Sequence, residues 1–254
     1  MDSWVRFNSQ SQAKEKVIRA AQYACILLGY TLQKSGSGAE LRKTVSQMEA
    51  HMSLTRKLLR LGNSVEALEA AKRAIHFSDG VLRLCLTVSH LNRAMYFACD
   101  NILWAGKTGL ISKLNQQKWS QRSFRYYLFA LVLHLTRDVY ELGLLMECEA
   151  RNRATKVSPL PVDQVYAPSS SPSPAVPNLV IPEQFRRQLH LLLTVLYNNP
   201  PLLLDLLKNS CDIFIPLDRL GIYSTGSGFV GACGLTSSVL SILTMIHPWL
   251  KLKP

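Results

Sequence analysis

From Leu220 to Leu250 the sequence contains no Lys, Arg, Asp or Glu, and this limits the possible folds more than any other feature does. Within it, Phe229 to Leu250 is long enough to cross about 30 Å of hydrocarbon as a helix. His247 and Trp249 stand at one end and Lys251 and Lys253 follow, the arrangement expected where a span meets the headgroups. A buried core helix would satisfy the same hydropathy, but the flanking residues favour a transmembrane segment over 229–250. Gly231, Gly234, Ser237, Ser238 and Ser241 put small side chains on one face, where another helix can approach closely, a second copy of the chain included.

The stretch Leu54 to Phe77 has the opposite character. Leu54, Leu58, Leu61, Val65, Leu68 and Ile75 recur at helical spacing and form one apolar stripe. Arg56, Arg60 and Arg73 point away from it, and Lys57 and Lys72 lie at its edge, where their methylenes can follow the stripe while the ammonium reaches phosphate level. An apolar face with basic flanks and modest hydrophobicity is the pattern of a helix lying in a membrane interface. These eleven residues are the expected lipid contacts, within a membrane-active region spanning 41–79. A surface helix of a soluble bundle would show a similar stripe, and it is the charge and the C-terminal segment that favour lipid.

Lys and Arg outnumber Asp and Glu by 29 to 17, a net charge of +12 concentrated in the first 160 residues. Such an excess implies an anionic partner, nucleic acid or a phospholipid surface. A slightly positive mean hydropathy and the uncharged C-terminal stretch favour the anionic membrane over nucleic acid. Six scattered cysteines without a close pair read as reduced thiols in a cytosol-facing protein. No apolar leader follows Met1, so a membrane would be reached after synthesis.

Helical periodicity runs through most of the rest. Gln10 to Gln33 fits one helix by its apolar positions from Val17 to Leu32, closed by Gly36 and Gly38, and Leu41 starts a second that continues into the stripe. Gly62 should kink it or start it afresh, with Asn63 and Glu66 as a capping box. Leu84 to Ala105 is apolar but carries His90, Arg93, Asp100 and Asn101. It fits either a bundle helix or an embedded one that shelters Arg93 and Asp100. Lys118 to Glu149 is a strong helix with Trp119, Tyr126, Phe129, Leu133 and Tyr140 as its core, and Arg122, Arg125 and Arg137 on the solvated or headgroup side. Thr155 to Pro182 holds seven of the twelve prolines and reads as a flexible linker. Phe185 to Leu207 resumes a helix, broken at Asn198 to Pro201. The expected architecture is therefore all-α: a membrane-associated helical bundle with amphipathic helices and a C-terminal transmembrane helix, organised as 1–154, a linker 155–182, and 183–254.

Gly226, Gly228 and Gly231 spell a dinucleotide fingerprint, but no strand precedes them and no acidic residue follows Asp218 to hold a ribose. The six histidines lack ligand spacing, and neither a nucleophile elbow nor a Walker loop occurs. No catalytic residue, cofactor or metal is expected, and the chain reads as something other than an enzyme.

Four blocks carry a family resemblance: LLRLGNSVEALEAAKRA from Leu58, SHLNRAMYFACDNILWAGKTG from Ser89, KWSQRSFRYYLFAL from Lys118 and DIFIPLDRLG from Asp212. They resemble the peroxisomal membrane protein 11 family, the peroxin-eleven proteins. The opening around Trp4, Val5, Arg6 and Phe7 and the terminal PWLKLKP resemble its vertebrate beta form. The resemblance implies a multi-pass peroxisomal membrane protein with cytosolic termini that elongates the organelle membrane and promotes its division. Its amphipathic helix would insert in the outer leaflet, and Leu84 to Ala105 would be the second crossing. Self-association, fission adaptors, a dynamin-related GTPase and the peroxisomal membrane-protein import receptor are the implied partners. A scaffold without lipid remodelling and a metabolite pore are the alternatives; nucleic-acid binding ranks last.

Overall fold

A computed structural model describes residues 2–36, 38–157 and 183–252, and the side chains of 11–36, 38–155 and 185–252. Among them every regular element is helical: α1 Asp2–Lys34, α2 Ala39–Leu59, α3 Asn63–Ala74, α4 Gly80–Lys107, α5 Gln116–Val157, α6 Glu183–Asn198, α7 Pro200–Arg219 and α8 Ser227–Ile246. A short 3-10 turn, Pro248–Leu250, follows α8. α5 continues through Val157, past residue 155 where the linker is expected to start. The remainder of that linker lies outside the described residues.

Local chemistry sets the boundaries. Asp79 caps α4, its side chain accepting from the Val81 and Leu82 amides at 2.8 and 3.0 Å. Asn115 does the same for α5 through the Lys118 amide at 3.0 Å. The prolines that break the leucine-rich stretch occupy the first positions of α7, where a missing amide costs nothing. Gly62 separates α2 from α3 in a left-handed conformation, φ 88°, so the stripe is carried by two helices. The expected capping box does not form: Gly62 is the N-cap, Asn63 is buried inside the first turn, and Glu66 accepts from Gln12 Nε2 at 2.6 Å.

The chain divides into two compact units, one made of Met1–Asp138 with Pro201–Pro254 and one of Val139–Pro200. The smaller unit holds the end of α5 and all of α6. In the larger unit α1 packs along both α8 and α2, and α3 packs along α4. The α1–α8 contact is antiparallel, with Tyr30 beside Gly228, Leu27 beside Gly231, Tyr23 beside Gly234 and Arg19 beside Ser237. At Gly234 an added Cβ would lie 2.3 Å from the Tyr23 ring, so only glycine allows this approach. The small-residue face that the sequence offers to a second helix is thus covered by α1 of the same chain. The nucleotide-like glycines serve the same packing: Gly226, φ 85°, turns the chain into α8, while Gly228 and Gly231 admit α1.

Candidate membrane-contact site

Buried charge dominates the interior of the larger unit. Arg19 on α1 pairs with Asp212 on α7, both less than a tenth exposed, and also reaches Ser237 Oγ on α8 at 3.4 Å. Glu15, one turn earlier on α1, receives Arg56 at 2.9 Å, and Gln22 accepts from Arg56 Nη1 at 2.6 Å. Asp100 on α4 takes Lys57 and, at 3.0 Å, Arg60. The Arg60 guanidinium also donates to the Tyr96 hydroxyl. Such groups are almost never enclosed unless paired, and here nearly every one is.

The pairing decides the protonation states. Burial alone would raise the Glu15 carboxyl, but Lys16, Arg56, Arg60 and Arg19 outweigh it and hold it well below its ordinary range. Burial likewise works against Arg60, yet Tyr96, Asp100 and Glu15 keep it firmly charged. Lys57 goes the other way: burial lowers it, and Asp100 restores only part of the difference.

This overturns one expectation about the stripe. Arg56, Lys57 and Arg60 do not stand at headgroup level; their side chains turn inward to Glu15 and Asp100, because α1 and α4 supply carboxylates that water would otherwise have to replace. Arg137 and Phe129 are exchanged in the same sense. Arg137, expected on the polar side, is buried against Asp138 and Asp205, while Phe129, expected in the core, is half exposed. Sequence periodicity locates the faces, but it cannot say which face turns inward when the solvent is unknown.

The apolar stripe itself is open. Leu58, Leu61, Val65, Leu68 and Ile75 are between 40 and 59% exposed, with Leu54 partly covered. Ala67, Ala71 and Ala74, on the opposite side of α3, are buried, and Ala67 packs with Ala94 and Phe97 of α4. Lys72 and Arg73 are exposed beside the stripe, with Arg73 3.9 Å from Glu69. The small side chains therefore form the intramolecular contact and the large ones are left outside. Further large aliphatic side chains face outward on α4, including Val81, Leu84, Leu91 and Met95.

Only α8 is long and apolar enough to cross a membrane by composition among the described residues. Its exposed flank, with Phe229 and Val239, carries no charge, and Trp249 beyond it is 69% exposed, its ring tilted at 49° to that of His247 with centroids 4.5 Å apart. No group of three or more His, Cys, Asp or Glu among the described residues is placed to hold a metal.

Paired charges inside, aliphatic side chains outside and an uncharged helix of spanning length define a helical membrane protein. Comparison with known sequences makes the class specific, and the chain belongs to the PEX11 family: residues 1–246 match the family model for Peroxisomal biogenesis factor 11 (PEX11). It is 58% identical to Peroxisomal membrane protein 11B of Homo sapiens, with both chains covered completely. Identity to Peroxisomal membrane protein 11A of Homo sapiens is 40%, covering all of this chain and 99% of that one. The Peroxisomal membrane protein 11 homolog of Dictyostelium discoideum is 23% identical over 96% of this chain and 94% of its own. The difference between 58 and 40% over full length supports the beta form. No solved structure matches the chain.

Proposed function

We propose that this peroxisomal membrane protein elongates the organelle membrane by seating the α2–α3 stripe in the outer leaflet, and that it thereby promotes fission and proliferation. The observation that carries the reading is the exposure of five large aliphatic side chains, Leu58 in α2, Leu61 in the turn after it, Val65 and Leu68 in α3 and Ile75 at its end, while Ala67, Ala71 and Ala74 of α3 are buried. Sinking each half-exposed side chain into the acyl boundary gains on the order of 1 kcal/mol at ~25 cal/mol per Å². With Arg56, Lys57 and Arg60 turned inward, the electrostatic share falls to Lys72 and Arg73, about 1 kcal/mol each near an anionic surface. The wedge is driven mainly by apolar burial. Anchored by α8, many copies would crowd one leaflet and bend it.

Self-association, recruitment of fission adaptors and a dynamin-related GTPase, and delivery by the membrane-protein import receptor belong to the same proposal on the strength of the family resemblance. Since α1 covers the small-residue face of α8, self-association would use another surface. The test is peroxisome length in cells expressing the full chain with Leu58→Glu and Leu61→Glu. The double variant should remain carbonate-resistant through α8 and yet fail to elongate peroxisomes. Elongation equal to that of the unaltered chain would defeat the wedge.

A further inference from the structure

We infer that the groove between α5 and the turn joining α7 to α8 holds one anionic phospholipid, with an acyl chain along the groove and the phosphate on Arg125. The inference goes beyond the wedge, to which neither α5 nor this turn contributes, and shares with it only the placing of α8 in the membrane. The groove is a cavity of about 320 Å³ lined by Arg125, Leu128, Phe129 and Val132 of α5 and by Leu220 and Ile222 of the turn. All six belong to the larger unit.

Local sequence sets both walls. On α5 the four lining residues recur at helical spacing and so share one side of the helix. The other wall is the end of α7, closed by a Schellman motif. Gly221 takes the left-handed conformation, φ 70°, and its amide donates to the Asp218 carbonyl at 3.0 Å, while the Ile222 amide reaches back to the Leu217 carbonyl at 3.1 Å. These two bonds fix where Ile222 leaves the helix. Ile222 is 63% exposed, Phe129 50% and Val132 43%, so the large apolar side chains around the concavity are left outside the fold's own packing.

Three observations select a phospholipid as the occupant. Ile222 stands five residues before Ser227, where the uncharged α8 starts, so the groove lies at the level where the chain enters hydrocarbon. Tyr223, next to it, is also exposed, as an aromatic side chain at a membrane surface is. Arg125 is exposed and forms no ion pair among the described residues, whereas Arg19, Arg56, Arg60 and Arg137 each meet a carboxylate. Its planar guanidinium matches phosphate oxygens two at a time. The volume is at the lower limit of the ~300–1,000 Å³ found for small-ligand clefts, which suits a stretch of one hydrocarbon chain. An apolar groove with a single cation at its edge is complementary to an amphiphile with a negative head.

The experiment uses the full chain reconstituted in phosphatidylcholine vesicles with a trace of phospholipid carrying a diazirine in its acyl chain. The headgroup of that probe is serine or choline, and its adducts are located by peptide mass spectrometry. Lipid meets every outward face, so adducts at Val239, exposed on α8, serve as the internal reference. The ratio of adducts at 129, 132 and 222 to those at 239 should be about fivefold higher for the serine probe, the preference one cation supplies toward an anionic head. Arg125→Gln should bring the two probes to the same ratio, and Arg125→Lys should keep most of the difference. Arg125 is exposed, so neither change disturbs the packing. Leu58→Glu with Leu61→Glu, which tests the wedge, should leave the ratio as it is. Equal ratios for the two probes in the unaltered chain, or a difference that survives Arg125→Gln, overturns the site. So does an absence of adducts at 129, 132 and 222, the result expected if a polypeptide occupies the groove, and so does their absence at 239, which would take α8 out of the membrane.

Discussion

Asp100 is the single side chain on which most local charge depends. It is 3% exposed and holds both Lys57 and Arg60, two cations from the end of α2 that face the interior. Removing one member of a buried pair leaves the other charge uncompensated and typically costs roughly 3–5 kcal/mol. Asp100→Ala should therefore lower the thermal midpoint of the detergent-solubilised protein sharply. Adding Lys57→Met should recover part of the loss, because Arg60 keeps Glu15 at 3.7 Å. A midpoint that Asp100→Ala leaves unchanged would place the cluster in water and not in a dry interior. The cluster also shows why charge counting overstates headgroup binding in this family of folds: a lysine contributes to the outer field only if no carboxylate reaches it first.

Among the elements, the α1–α8 pair and the α2–α3 stripe make separate predictions. Gly234→Leu places a branched side chain where an added Cβ alone would be 2.3 Å from the Tyr23 ring, and Tyr23 is buried with Ile215 and Val230. Overpacking of this kind costs about 1–3 kcal/mol, and here it should part α1 from α8, read as faster proteolysis within α1 in otherwise folded protein. Gly228→Ala is the control, since Tyr30 is 41% exposed and can swing away. Equal proteolysis of the two variants would argue against close helix contact at Gly234. For the stripe, the shortage of outward bases means that tubulation of vesicles by the reconstituted chain should depend only weakly on anionic lipid. Replacing anionic lipid by neutral lipid should cost less than substituting Leu61 and Val65 together by Ser. The reverse order would return the main role to electrostatics.

At the scale of the whole molecule, helix positions were legible in the sequence because apolar spacing, glycines and prolines are local signals. The apolar C-terminal helix, expected over 229–250 and found over Ser227–Ile246 because Pro248 ends it, and the break at Asn198 to Pro201 show this, since both depend on residues within a few turns. Partnership was not legible. Nothing near Arg56 in sequence announces that Glu15 will meet it, and nothing near Arg137 announces Asp205. Hydropathy read along the chain cannot distinguish a charge facing water from one neutralised across the fold, so Arg137 reads in the sequence as solvated or at headgroup level while the fold buries it. The small residues of α8 were legible as a docking face, but the helix that docks there comes from the other end of the chain.

That last pairing has a consequence for biogenesis. Arg19 and Ser237 meet across 218 positions, so the first helix to be synthesised has to wait for the last before the side that meets α8 is covered. Contacts of such range form slowly, and through the interval the nascent polypeptide displays the Tyr23 side of α1 without its cover. A shortened product lacking the final helix should therefore leave that side of α1 bare, read as faster cleavage of α1 by added protease than in the full-length chain.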